Sequence, residues 1–384
     1  MTIQPDISDC NVLLVAPYCF DPNSDWFSPG RIQKISQVES LLFSLSLRVL
    51  RINTSPTACP PSDTPTLQLT QNLFPPYRLL NSAFSISRFL LAREATYSSP
   101  FLWVYNSRLS EALVALLILF FIPKCFVCLQ VEDLPNARVQ NAGVRGLLDL
   151  LCLNLLARRA NSIFVVSHVV GKSLLKMVRF CGTSPAVQIL PPLLNPEFLA
   201  LADKRTPPFA RETTTILYAG GYGSDKGVED LITAFSCLPA DHSTLQLVGA
   251  IPEAFANLCS TIPGIKLIGH VASFDLYRLY AQADVVVSPH HVSSRSTSIF
   301  PFKLIEYVAS GALPLTTRMP GIEQLSLPSA CIFDSVEQLT SILHMAKEVW
   351  MRNSSELSEC SVNIRNQYSI SAYAPKLTHA LKLD

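Results

Sequence analysis

Ile299-Phe-Pro-Phe-Lys-Leu-Ile-Glu-Tyr-Val-Ala-Ser-Gly-Ala-Leu-Pro-Leu-Thr-Thr317 reads as the end of a loop, a short helix and a buried strand. Pro301 suits the first turn of a helix, where a missing N–H has no intrahelical partner to lose. Leu304, Ile305 and Val308 recur at helical spacing and are expected to face a core. Gly311 is placed to end the helix, and Ala312 to Thr317 follows as a short strand. A helix start offers free N–H groups and a partial positive charge, a setting suited to phosphate. Lys303 adds a full charge there, and Glu306, one turn in, can accept hydrogen bonds from a sugar diol. Taken alone, the same residues also describe an amphipathic helix with a surface Lys and Glu.

A second stretch, Thr215 to Phe235, reads as strand, glycine-rich turn and helix. Ile216 to Ala219 is the apolar strand. Gly220, Gly221 and Gly223 allow positive φ and close approach of backbone to a ligand. Lys226-Gly227 precedes a helix whose apolar face is Val228, Leu231, Ile232 and Phe235. The turn is not a Walker motif, because no Ser or Thr follows Lys226. It is a poor dinucleotide fingerprint too, because Lys226 stands where the third glycine belongs.

Together these stretches resemble the donor half of family-four (group 1) glycosyltransferases, which have the GT-B fold of two Rossmann-like domains. That family's second domain opens with a strand, a glycine turn and Lys-Gly, as in Tyr218 to Gly227. It later carries Pro-x-Lys-Leu-x-Glu-Tyr, matched by Pro301, Lys303, Leu304, Glu306 and Tyr307. Ala283 to Pro289 resembles the strand that leads into the donor loop. The resemblance implies a nucleotide-sugar co-substrate, UDP- or GDP-linked, and no cofactor or metal. It implies that Lys226 contacts the donor pyrophosphate and that Lys303 lies at the same end. It further implies Glu306 at the ribose hydroxyls and the Phe300–Phe302 backbone, with Pro301, at the sugar phosphate. Gly220 and Gly221 line the turn. Two positions depart from the family. Gly221 stands where an Arg is usual, and Ser298 where the first Glu of Glu-x7-Glu touches the transferred sugar.

The first half is similar more loosely. Asn11 to Ala16 is a first strand, Ser28-Pro29-Gly30-Arg31 opens a helix, and Leu47 to Ile52 is a second strand. Gly30 and Arg31 occupy the place of the family's glycine loop, which faces the donor phosphates; an ordinary turn and a solvent arginine fit equally. Phe101 to Tyr105 is another strand, after which Asn106-Ser107 start a helix. Cys125 to Val131 ends in Glu132-Asp133, at the strand end where α/β sheets bind ligands. The resemblance implies that Asn106, Glu132 and Asp133 face the acceptor, with Asp133 counted among the catalytic groups beside Lys226 and Glu306. His168 reads as a helix-start or loop residue rather than a catalytic one.

Length and composition agree with an α/β chain of two domains. The chain has 384 residues, 49% hydrophobic and 15% charged. That suits two cores and parallel strands apolar on both faces. The expected division is residues 1–195, joined by a C-terminal helix 372–384, and residues 205–371, facing each other across a cleft. Thr54 to Pro76 reads as a Pro/Thr/Ser-rich loop over the acceptor side. The net charge is +1, yet residues 1–195 hold 16 Lys/Arg against 11 Asp/Glu and residues 196–384 hold 14 against 18. No dense basic run with interleaved aromatics is present, which argues against nucleic acid. The basic first half suits an anionic acceptor, a glycan or a lipid-linked one, or a membrane surface.

The first ten residues carry Asp6 and Asp9 and no apolar core, so a reducing cytoplasm is expected. The eleven cysteines lie mostly in apolar patterns, where the thiol behaves as a small hydrophobe. Cys125 and Cys128 have no second pair at zinc spacing. Ala112 to Ile122 is apolar throughout but shorter than the roughly 18–20 residues a bilayer requires. Leu147 to Leu156, closed by Arg158-Arg159, fits a core helix or one lying at the inner face of a membrane. The resulting expectation is a retaining, metal-independent glycosyltransferase. An epimerase of the same fold, a non-catalytic module of that fold, and more distantly an NAD-dependent dehydrogenase are the alternatives.

Overall fold

The structure is a computed structural model that describes residues 10–19, 29–55, 64–68, 101–135, 144–178, 185–239, 241–291, 302–319 and 321–383. It divides into two compact units, residues 1–192 with 373–384, and residues 193–372.

The first unit is built on a seven-stranded sheet in the order β3-β2-β1-β4-β5-β6-β7. The strands are β1 Val12–Ala16, β2 Val49–Asn53, β3 Thr66–Gln68, β4 Phe101–Tyr105, β5 Phe126–Val131, β6 Ser162–Val165 and β7 Ala186–Ile189. All pairings are parallel, and every residue of β1 is buried. Both faces must therefore be covered. The connecting helices are α1 Pro29–Ser44, α2 Leu109–Phe121, α3 Val144–Arg159 and α4 His168–Met177. From β4 to β7 the chain steps in one direction across the sheet, and right-handed crossovers then set α2, α3 and α4 side by side on one face. The step from β1 to β2 runs the other way and sets α1 on the opposite face. Glu39 of α1 is buried, yet it accepts two bonds of 2.6 Å from Arg51 and one of 2.7 Å from Tyr18. Bidentate pairing of this kind makes a buried carboxylate tolerable.

The second unit has a six-stranded parallel sheet in the order β10-β9-β8-β11-β12-β13. Its strands are β8 Thr214–Ala219, β9 Ser243–Val248, β10 Ile265–Gly269, β11 Val285–Ser288, β12 Leu313–Thr317 and β13 Ile332–Phe333. Its helices are α5 Pro196–Asp203, α6 Val228–Ser236, α7 Glu253–Cys259, α8 Ser273–Gln282, α9 Phe302–Ser310, α10 Val336–His344 and α11 Ala346–Gln367. Alternate strand residues point to opposite faces. Leu217, Ala219 and Val286 join one core with Leu304, Ile305, Tyr307 and Val308 of α9. Ile216, Tyr218, Val285 and Val287 join the other, with Leu231, Ile232 and Phe235 of α6. A last helix, α12 Ile370–Leu381, follows, and within the first unit Ser162 Oγ of β6 donates to Ala380 O at 3.1 Å.

Several expectations hold and some are corrected. Gly311, at φ +77, ends α9 and leads into β12. Part of the Thr54–Pro76 stretch is not loop: Thr66 pairs with Arg51 in edge strand β3, because the exposed side of β2 still has backbone donors and acceptors to satisfy. Asn106 does not start a helix. It adopts φ +64, and α2 begins at Leu109 with Arg108 as its cap. His168 opens α4, capped by Ser167 Oγ accepting from Val170 N. The nine described cysteines are free. No described helix is long and apolar enough to cross a membrane.

Candidate functional site

In each sheet the strand order reverses direction at the unit's first strand, between β1 and β4 and between β8 and β11. At the carboxyl ends of such neighbours an open α/β sheet has its binding crevice.

In the second unit that edge is marked by Ala219, which ends β8, and by Ser288, which ends β11. Helix α9 is clamped to it. Lys303 Nζ donates to Ala219 O at 2.7 Å. Tyr307 OH accepts from Ala219 N at 3.1 Å and donates to Ala219 O at 3.2 Å. The first turn of α9 is thereby held at the strand edge. An ammonium has three donors, so among the described residues Lys303 keeps two beyond the bond to Ala219. Burial, and Lys226 nearby, lower the Lys303 pKa, while Glu306 opposes the shift.

Lys226 lies in the turn between β8 and α6, with its Nζ 3.0 Å from Asp225. Burial would raise the Asp225 carboxyl, but the bond and charge of Lys226 outweigh it and hold that group below its ordinary value. The glycines of this turn play different parts. Gly220, Gly221 and Gly223 do not have positive φ; Gly227 does, at +63 as the cap of α6. An ideal Cβ on Gly227 would stand 1.8 Å from Pro289 O, so the turn passes against the end of β11 with no room for a side chain. At Gly221 a Cβ would meet nothing within 4 Å, which leaves open space where the family carries an arginine.

Glu306 sits one turn into α9, half-buried, and accepts from Tyr280 OH of α8 at 3.3 Å. Burial and the Glu306 charge push the Tyr280 phenol up. The structure thus gathers Lys226, Lys303 and Glu306, expected from sequence, at one strand edge. It adds His290, which the sequence reading passed over. His290 Nδ1 is 3.1 Å from Ser288 Oγ, and its carbonyl accepts from Thr317 Oγ1 at 2.5 Å. Its position two residues past an apolar strand was the available signal. Burial first, and then Lys226, Lys303 and His291, lower its pKa to about 4 despite Asp225.

A pH dependence follows. The folded value lies below the ordinary one, so as pH falls the unfolded chain takes up this proton before the folded protein does. Stability is full above about 6.5 and is lost as pH falls toward about 4. The loss is on the order of 3 kcal/mol, at about 1.4 kcal/mol per pH unit. Urea unfolding at pH 7.5 and pH 4.5 tests it: the stability drop should be smaller in His290→Gln than in the natural protein. Equal drops would assign the effect elsewhere.

In the first unit the expected acceptor-side residues meet at the ends of β4 and β5. Asn106 Oδ1 accepts from the backbone N of Glu132 at 2.9 Å and of Asp133 at 3.5 Å. Glu132 is buried and takes bonds from Lys34 Nζ at 2.8 Å, Tyr105 OH at 2.6 Å and Gln130 Nε2 at 3.2 Å. Its oxygens are occupied by the protein, and Asn106 works on the backbone; Asp133 is the half-exposed member of the trio. Arg31, from the first turn of α1, is half-buried. Burial and Arg108 lower its pKa, and Tyr105, Glu111 and Asp133 oppose them. Gly30 is exposed with nothing near its Cβ position, so a side chain would fit there. Ser298, Phe300 and Pro301 lie outside the described residues. Cys125 and Cys128 are buried thiols, with Cys125 pushed up to about 12 by burial. Among the described residues no group of three or more His, Cys, Asp or Glu is gathered as for a metal ion.

Comparison with known proteins adds three findings. A family model described as "Glycosyl transferases group 1" matches residues 213–341, a span that runs from β8 into α10 and contains Lys226, His290, Lys303 and Glu306. No curated protein matches the chain in sequence. Among solved structures, sucrose-phosphate synthase from Thermosynechococcus elongatus matches with a TM-score of 0.71 and 17% identity, over 97% of this chain and 98% of that one. Anabaena Alr3699/HepE, solved with UDP and glucose, matches at 0.67 and 13%, over 97% and 99%. A putative UDP-N-acetylglucosamine 2-epimerase from Listeria monocytogenes matches at 0.58 and 12%, over 97% and 95%. The chain therefore has the two-Rossmann GT-B fold that glycosyltransferases use, shared with that epimerase.

Proposed function

We propose that the protein is a retaining glycosyltransferase of the family-four (group 1) type. It moves a hexosyl group from a UDP- or GDP-sugar to a glycan or lipid-linked acceptor. Its setting is the cytoplasmic assembly of polysaccharide, lipopolysaccharide or glycolipid. The observation that carries the reading is the convergence of Lys226, Lys303 and Glu306 at the β8–β11 strand edge, within the span matched by the group 1 model. The two ammonium groups and the first turn of α9 would stabilise the diphosphate as it leaves. That is electrostatic catalysis aimed at developing charge, supplied here without a metal ion. Glu306, steadied by Tyr280, would accept the ribose hydroxyls, and the Gly220–Gly221 turn would line the phosphates. Ser298, Phe300, Pro301 and Phe302 are assigned to the sugar-phosphate end. Gly30 and Arg31 belong to the first unit's glycine loop in this reading, and Asp133, supported by Asn106 and Glu132, to the acceptor side.

The match to a putative epimerase supports one rival, conversion of the donor sugar with no acceptor. A sugar released or altered by the purified protein without acceptor, at the same rate as with it, would favour that rival.

The test begins with thermal shifts under UDP-, GDP- and ADP-sugars. A ligand at 100 times its Kd adds about 2.7 kcal/mol of stability, and a flat response to all of them would overturn the reading. Glu306→Gln tests the ribose role. It should weaken free UDP or GDP and the sugar conjugate alike, by about 1–3 kcal/mol. A defect limited to the conjugate would move Glu306 to the sugar.

A further inference from the structure

Helix α3 does not bury its leucines in the way its apolar sequence suggests. Cys152, Leu153, Leu156 and Ala157 face the sheet, and Asp149, also buried, accepts from Leu109 N of α2 at 3.2 Å. The other side is open. Val144, Leu147, Leu148, Leu151 and Leu155 are exposed, Leu147 by 68% and Leu151 by 54%. These positions fall three and four residues apart, which makes one continuous apolar stripe along the helix. On the same sheet face Phe120 of α2 is 78% exposed and Leu175 of α4 is 50% exposed. Isolated exposed leucines need no explanation, but a contiguous apolar strip of this kind marks an interaction surface.

Charge identifies the partner. Lys124 just beyond α2, Arg158 and Arg159 in the last turn of α3, and Lys172 and Lys176 of α4 are all exposed. The three helices contain only two carboxylates, Glu111 and Asp149, and both are buried. From residue 134 to 195 the sequence has seven Lys or Arg and Asp149 as its one acid. A twofold dimer through this face would set like charges against each other with no acid to receive them. An anionic bilayer supplies both needs, apolar volume for the stripe and phosphate headgroups for the rim.

We propose that the α2–α3–α4 face of the first unit is a peripheral docking surface for an anionic lipid bilayer, with the α3 stripe entering the headgroup layer. The inference is carried by the surface residues alone. Loss of the nucleotide response would leave it standing, and its failure would leave the transferase reading standing.

Co-sedimentation of the full chain with phosphatidylcholine vesicles, with and without phosphatidylglycerol, tests it. Binding should be to the anionic vesicles and should weaken with salt, since screening acts beyond about 8 Å at physiological ionic strength. Arg158→Gln with Arg159→Gln should weaken it about 30-fold, roughly fivefold for each basic residue near the surface. Leu147→Ser with Leu151→Ser should weaken it about tenfold or more. All four residues are exposed, so melting temperatures should stay unchanged. Four outcomes would overturn the proposal: equal binding to both vesicle types, none at low salt, unaltered binding by the leucine variant, or a dimer abolished by that variant without vesicle binding.

Discussion

Lys226→Ala is expected to lower nucleotide-sugar turnover roughly 10–150-fold, the equivalent of one charge-assisted hydrogen bond of about 1.5–3 kcal/mol. The side chain is only partly covered and its bond is to the exposed neighbour Asp225. Removing it therefore costs the fold little, and an unchanged urea midpoint should accompany the loss. The variant also removes one of the charges that lower His290 and Lys303. The pH profile of residual activity should shift upward for groups that follow those residues. Turnover within a factor of two of the natural protein would take Lys226 out of the site.

Gly227→Val is expected to destabilise the second unit by about 2–6 kcal/mol. One part is the left-handed backbone forced on a β-branched residue, about 1–3 kcal/mol. The other is the push against Pro289 O, an overpacking cost of about 1–3 kcal/mol. Gly221→Ala is the matched control: its φ is not positive and its Cβ meets nothing, so its stability should change by about 0.5 kcal/mol or less. Equal urea midpoints for the two variants would show that the turn does not depend on Gly227.

These two glycines show where local reading succeeds and where it stops. That the chain needs glycine between β8 and α6 is legible in the string Gly220-Gly221-Tyr-Gly223 and in Lys226-Gly227. Which glycine carries the positive φ is not, because the requirement comes from Pro289, a residue 62 positions later at the end of another strand. Glu132 shows the same limit from the other side. Its place at a strand's carboxyl end suggested a group facing a ligand. Lys34, Tyr105 and Gln130 meet it from α1, β4 and β5, and no local pattern announces such a meeting.

Read alone, the sequence established the parallel α/β class, because its strands are apolar through and through and alternate with helical periods. It established the α9 helix and its stop at Gly311, because periodicity and capping are properties of a few neighbouring residues. It also singled out Lys226, Lys303 and Glu306, through residue types placed at helix starts and strand ends. Long-range packing settled the rest. Lys303 and Tyr307 close on Ala219 across 84 and 88 positions, and burial beside two lysines lowers the His290 pKa. The leucines of α3 face outward because the sheet offers that helix only one side to cover. Strand order fixes each of these outcomes. It is a global property of the folded chain, reached only when many weak local preferences agree on one packing.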